Sequence, residues 1–349
     1  MRERSAERCR AADWLANAAT LAEPARVPRS HQLIILSDVH YASAAEQARQ
    51  DDYETRGIRN PVARRLLRAY RDFVWLRGPL KQNRLLDQFL AAAGEADLVV
   101  ANGDYTCDTA FIGAADDAAC ASIRECLGKL RVRFGDRFQP TLGDHEIGKR
   151  TMVGNAGHMM LASFQRATGE LDIPPFWRRD LGPWTLIGVC STLVGLPHLE
   201  GDALPKDLPE WRRLREQHLA EIRAAFASLP PDRRLLLFCH DPTALPFLAQ
   251  EEAVRLRFGQ LEHTIIGHLH TKLILWKSRV LCGMPEIKFL GHTLRKMSRA
   301  LRDARGWRPF KVRLCPALAG IELLKDGGFL TAQLPERGPA AFHFHPLRR

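Results

Sequence analysis

Five short apolar runs in this chain each end in an aspartate or a histidine, and that recurrence constrains the fold more than any bulk property. Leu33–Leu36 leads into Ser37-Asp38-Val39-His40, and Leu98–Ala101 into Asn102-Gly103-Asp104. Phe138–Leu142 leads into Gly143-Asp144-His145-Glu146, Leu235–Phe238 into Cys239-His240-Asp241, and Thr264–Ile266 into Gly267-His268-Leu269-His270. Runs this short suit strands covered on both faces. Between them lie amphipathic helices, most clearly Glu210–Ser228, where Trp211, Leu214, Leu219, Ile222 and Phe226 share one face and Pro230-Pro231 ends the pattern. Such alternation predicts a layered α/β domain.

In that arrangement the aspartates and histidines collect at one rim of a sheet, where open α/β folds build their sites. Glycine precedes the candidate at three of the five junctions and permits tight turns and close approach. Asp38-x-His40 and His268-x-His270 bring both side chains inward only if the backbone bends as it leaves the strand. A lone Asp or His after a strand is usually a cap or turn residue. Five such junctions in one chain point instead to a metal centre, and the mixture of carboxylate and imidazole suits Zn, Mn or Fe.

The cysteines support the same donor set by exclusion. All eight are dispersed and none forms Cys-x-x-Cys, which argues against a thiolate zinc site or a disulfide framework. A reducing, cytoplasmic setting is the expectation. No apolar run approaches the roughly 20 residues of a membrane span. Lys and Arg number 51 against 40 acids, a net charge of +11, which favours phosphates, nucleic acid or anionic lipid as partners.

Taken in order, the junctions resemble the motifs of the calcineurin-like metallophosphoesterases: D-x-H, G-D, G-N-H-D/E, a lone His after a strand, and G-H-x-H. The resemblance spans about residues 33 to 270. It implies a four-layer αββα sandwich of two mixed β-sheets flanked by helices. It also implies a centre of two divalent metal ions (Mn, Fe or Zn), with Asp38, His40 and His270 holding one, Asp104 bridging, and Asp144, His240 and His268 holding the other. His145 would stand beside the substrate phosphate with Glu146 orienting it; if protonated, a form Glu146 would favour, it would stabilise the phosphoryl oxygens or donate to the leaving group. The implied activity is hydrolysis of a phosphate ester or pyrophosphate by a hydroxide shared between the cations. Two departures stand out. Asp144 occupies the position of the family's Asn, and Asp108 follows Gly103-Asp104 one residue late.

Residues 1–30 read as a loosely ordered leader or short helix, and 31–340 as a single domain with a helical cap insertion at about 45–92, between the first two motifs. Within the cap, Pro61–Leu90 interleaves arginines with Leu66, Leu67, Phe73 and Trp75. A second basic stretch, Thr293–Arg308, has the same character. Either these are surface helices, or they cover the cleft and touch an anionic membrane surface. The latter is similar to the branch of the family that cleaves the pyrophosphate of UDP-2,3-diacylglucosamine. A phosphorylated small-molecule or lipid-linked substrate is therefore expected. A nuclease acting on nucleic acid is less favoured, no obligate protein partner is inferred, and a non-catalytic scaffold on the same fold is the contrasting reading. Toward the C-terminus, Lys311–Leu314, Gly320–Leu324 and Phe329–Leu334 read as strands, with Asp326-Gly327-Gly328 as a hairpin.

Overall fold

The computed structural model describes residues 30–50, 52–55, 57–151, 156–289 and 292–348; the expected leader lies outside them, save Ser30. Two five-stranded mixed sheets face each other, in strand orders β10-β9-β1-β2-β3 and β4-β5-β6-β7-β8. The first contains β1 (Ser30–Leu36), β2 (Leu98–Ala101), β3 (Phe138–Pro140), β9 (Gly328–Pro335) and β10 (Ala341–Pro346). The second contains β4 (Phe176–Leu181), β5 (Trp184–Val189), β6 (Arg234–Cys239), β7 (Leu261–Ile266) and β8 (Val312–Leu314). Every run that ends in a candidate ligand thus contains a strand.

Alternation along the strands builds the layers. Leu33, Ile35, Leu98 and Val100 of the first sheet meet Trp184, Leu186, Leu236, Phe238 and Ile265 of the second in the central core. Their neighbours Ile34, Leu36, Val99 and Ala101 point outward, into a cluster with the helices Arg84–Ala92 and Asp117–Phe134. On the far side, Ile187, Val189, Leu235 and Leu237 pack beneath the helix Leu208–Ala227, which buries Trp211, Leu219, Ile222 and Phe226. Four layers result: helices, sheet, sheet, helices.

The cap is smaller than the sequence suggests. The helix Arg84–Ala92 buries Leu85, Leu86 and Phe89, so it is the crossover that covers β1 and β2. The helix Pro61–Tyr70 and the π-helical turn Arg71–Trp75 that extends it contain no fully buried residue, and the turn meets the core only through the half-buried Trp75. The expected strand at Gly320–Leu324 is instead a turn. Asp326 does not open a hairpin, because its carboxylate is bound to the Thr271 hydroxyl (2.5 Å) and the Ile321 amide (3.0 Å). The hairpin joins β9 to β10, and the sheet continues beyond residue 340.

Candidate metal centre

Parallel pairing of β1 with β2, Leu36 opposite Ala101, carries Asp38 and Asp104 off the same edge of the sheet. Beyond the strand ends the backbone is left-handed at Asp38 (φ 51°), His40 (φ 48°), Asp104 (φ 59°), His268 (φ 53°) and His270 (φ 58°). These conformations are uncommon for residues with a Cβ, and they supply the bend that turns both members of each D-x-H or H-x-H pair inward. Close approach needs glycine: a Cβ on Gly143 would collide with Asp104 Oδ1, and one on Gly267 with Ser37 Oγ and Asp38 Oδ2.

All seven expected ligands are brought together. Asp38, His40, Asp104 and His270 form one set and Asp104, Asp144, His240 and His268 another, with the candidate ligand atoms of each set within 4.8 Å of one another. Asp104 belongs to both. The carboxylates, with His40, come from loops of the first sheet; the other three imidazoles come from loops of the second.

The donor chemistry fits cations. His240 Nδ1 lies 2.5 Å from the Asn102 carbonyl, which can only accept, so that nitrogen carries the proton. Nε2 then faces Asp104 Oδ2 at 3.2 Å and Asp144 Oδ1 at 3.3 Å, and although burial opposes the charge, the surrounding carboxylates raise the imidazole well above its ordinary value. Nε2 and Asp104 Oδ2 are both buried and find no well-aligned hydrogen-bond partner among the described residues. Without an ion these carboxylates hold a proton on the ring, and a divalent cation would take that proton's place among the same donors. His40 repeats the pattern, with Nδ1 3.2 Å from the Thr106 carbonyl and Nε2 3.4 Å from His270 Nε2. Carbonyl-anchored imidazoles of this kind are the usual support of metal-binding histidines.

His145 and Glu146 require correction. Glu146 does not touch the His145 ring. Its carboxylate accepts from the amides of Gly143 (2.9 Å), Asp104 (3.0 Å) and Tyr105 (2.7 Å), tying the second and third ligand loops together. Burial and the adjacent Asp104 charge push its carboxyl up to about 8, against the pull of those amides. The ring of His145 meets Lys149 Nζ at 2.6 Å through Nε2 and the Cys107 carbonyl at 3.1 Å through Nδ1. Lysine can only donate, so Nε2 accepts and Nδ1 carries the proton. Burial and the Lys149 charge together lower the imidazole to about 3, leaving it neutral rather than protonated.

Lys149 itself escaped the sequence reading, having no motif around it. Its ammonium pairs with Asp144 Oδ2 at 2.8 Å, and although burial opposes the charge, Asp144 and Asp104 raise its pKa. A second unanticipated residue is Glu46. Fully buried, it accepts from the Thr106 and Ser122 hydroxyls and from the amide and hydroxyl of Thr109, which fixes the loop whose carbonyl anchors His40. Asp108 is buried and holds the Ile112 and Gly113 amides through Oδ1, outside both ligand sets.

Fold and centre together define the class: a two-sheet α/β sandwich with seven carboxylate and imidazole donors in two sets at one sheet rim. No family model matches the chain, and no curated protein matches it. Among solved structures it is similar to the phosphopantetheinyl hydrolase of Mycobacterium tuberculosis, at 14% identity and a TM-score of 0.35 over 68% of this chain and 83% of that one. It is also similar to a purple acid phosphatase from yellow lupin seeds, at 13% identity and a TM-score of 0.35 over 70% of this chain and 38% of that one. A third is a conserved uncharacterized protein, a predicted phosphoesterase, from Streptococcus pneumoniae, at 10% identity and a TM-score of 0.27 over 91% and 99%.

Proposed function

We propose that this chain is a metal-dependent phosphoesterase that hydrolyses a phosphate ester or anhydride at a two-ion centre. The observation that carries the reading is the pair of ligand sets sharing Asp104. Asp38, His40, Asp104 and His270 would hold one ion, and Asp104, Asp144, His240 and His268 the other. Ions bound there would neutralise phosphoryl oxygens and make a nucleophile available from water near neutral pH. Mn, Fe and Zn all suit these donors.

The chain's own groups do the remaining work. Neutral His145, held by Lys149 and the Cys107 carbonyl, offers no proton from Nε2. The positive group beside the ligands is Lys149, poised to attract a phosphoryl oxygen. Glu146 keeps the loops of Asp104 and Asp144 in register by occupying three of their amides. The extra negative charge of Asp144 is offset by Lys149, so an anionic substrate does not meet a bare carboxylate.

The test is the metal content of purified protein, together with hydrolysis of p-nitrophenyl phosphate and bis-p-nitrophenyl phosphate in added Mn. About two ions per chain and turnover of either ester support the reading. Folded protein that takes up no metal and hydrolyses neither ester defeats it.

A further inference from the structure

The helix Pro61–Tyr70 presents an apolar face to solvent. Val62, Leu66, Tyr70 and Phe73 recur at helical spacing along it and its π-helical extension, with exposures of 65, 67, 47 and 67%. Arg64 and Arg68 take the opposite side of the helix and Arg65 flanks the stripe. A soluble surface rarely leaves such a stripe uncovered. Nor is it isolated. Of the fifteen exposed large hydrophobic side chains among the described residues, thirteen lie in 62–73, 273–297 and 323–324. The helix Lys272–Val280 contributes Leu273, Trp276 and Val280, again at helical spacing.

These segments are joined around the metal centre. The amides of Glu322 and Leu323 bond the carbonyls of Trp75 (2.7 Å) and Val74 (3.2 Å). The Trp75 ring stacks on His270 at 5.2 Å, and Lys272 starts its helix two residues after that ligand. The exposed apolar surface therefore borders the centre.

Charge identifies what covers it. Arg59, Arg64 and Arg65 have no carboxylate partner among the described residues, and Lys277 and Arg279 add to the same sign on the second helix. A second copy of a chain with net charge +11 would meet like charge here. An anionic bilayer meets both demands: acyl chains take the apolar stripe while lipid phosphates neutralise the arginines. We propose that the Pro61–Trp75 segment and the outer face of the Lys272–Val280 helix dock on an anionic lipid surface. The metal centre then faces phosphate groups carried by lipid, an extension that rests on the phosphoesterase reading above.

The test uses full-length protein and sedimentation with vesicles of phosphatidylcholine alone, or with roughly 30% phosphatidylglycerol added, in the presence of EDTA. Partition at least about tenfold stronger onto the anionic vesicles is expected, lost in the double variant Leu66→Glu, Phe73→Glu. Both positions are exposed, so the variant should fold and hydrolyse bis-p-nitrophenyl phosphate as the parent does. No partition, or partition unchanged in the variant, overturns the proposal. So does a parent dimer that the same variant dissociates, since the stripe then pairs two copies. Vesicle binding without ester hydrolysis would instead count against the enzymatic reading and leave docking standing.

Discussion

Lys149 Nζ lies 2.8 Å from Asp144 Oδ2 and 2.6 Å from His145 Nε2, so one ammonium both balances a candidate ligand and fixes the protonation of the ring beside it. Removing it should separate metal binding from turnover. In Lys149→Met the ions are expected to remain, or to bind more tightly, because Asp144 loses its competing partner. The turnover number should fall by about 10²-fold through loss of a charge aimed at the phosphoryl oxygens. Metal analysis beside steady-state kinetics checks both halves; unchanged turnover would remove Lys149 from the chemistry.

Asp104 belongs to both ligand sets. Asp104→Asn should therefore empty both positions, whereas His40→Ala should weaken the first ion far more than the second. Titration of the two variants with Mn, followed by calorimetry, distinguishes a shared ligand from two independent sites. Loss of a single ion in Asp104→Asn would show that the sites do not share it.

Glu46 illustrates a stability role near the centre. Replacing it with Ala leaves four donors of the 106–122 region without their buried acceptor. The expected cost is about 2–4 kcal/mol, read as a lowered urea midpoint. Glu46→Gln, which keeps one acceptor oxygen, should recover part of it.

His218 makes the fold sensitive to acid away from the centre. It is buried, its Nε2 accepts from the Cys190 amide at 3.1 Å, and burial lowers its pKa below the ordinary value. The proton thus prefers the unfolded chain. The stability from neutral His218 is fully present above the ordinary pKa of about 6.5 and drains away as pH falls below it, at up to about 1.4 kcal/mol per pH unit. His218→Gln retains an acceptor for the amide but does not titrate. Urea midpoints of the metal-free proteins at about pH 7.5 and 5.5 should fall further in the parent than in the variant; equal losses would refute the assignment.

The seven donors were legible because each follows a compact apolar run, and a strand end fixes where the next residues emerge. Lys149 was not, since it reaches the centre only after the 143–148 turn folds back, and no spacing announces that. Strand β4 escaped for a different reason. Its sequence, Phe176-Trp177-Arg178-Arg179-Asp180-Leu181, is that of an edge strand with Arg179 and Asp180 exposed, so apolar continuity fails there. Glu46 was hidden by its residue type, since a glutamate in a short helix normally faces water. The role expected of Glu146 failed because sequence proximity to His145 says nothing about which backbone amides lie closer.

Three carboxylates, Asp38, Asp104 and Asp144, hang with His40 from one sheet, while His240, His268 and His270 hang from the other. Neither half of the sandwich is electrically self-sufficient at that rim. An ion seated between them would rivet the seam, and the molecule should be mechanically stiffer when loaded. Sliding the two sheets apart would then require breaking coordination as well as expelling apolar contacts. Metal supply would thereby govern how long the protein resists unfolding and proteolysis, not only whether it turns over substrate.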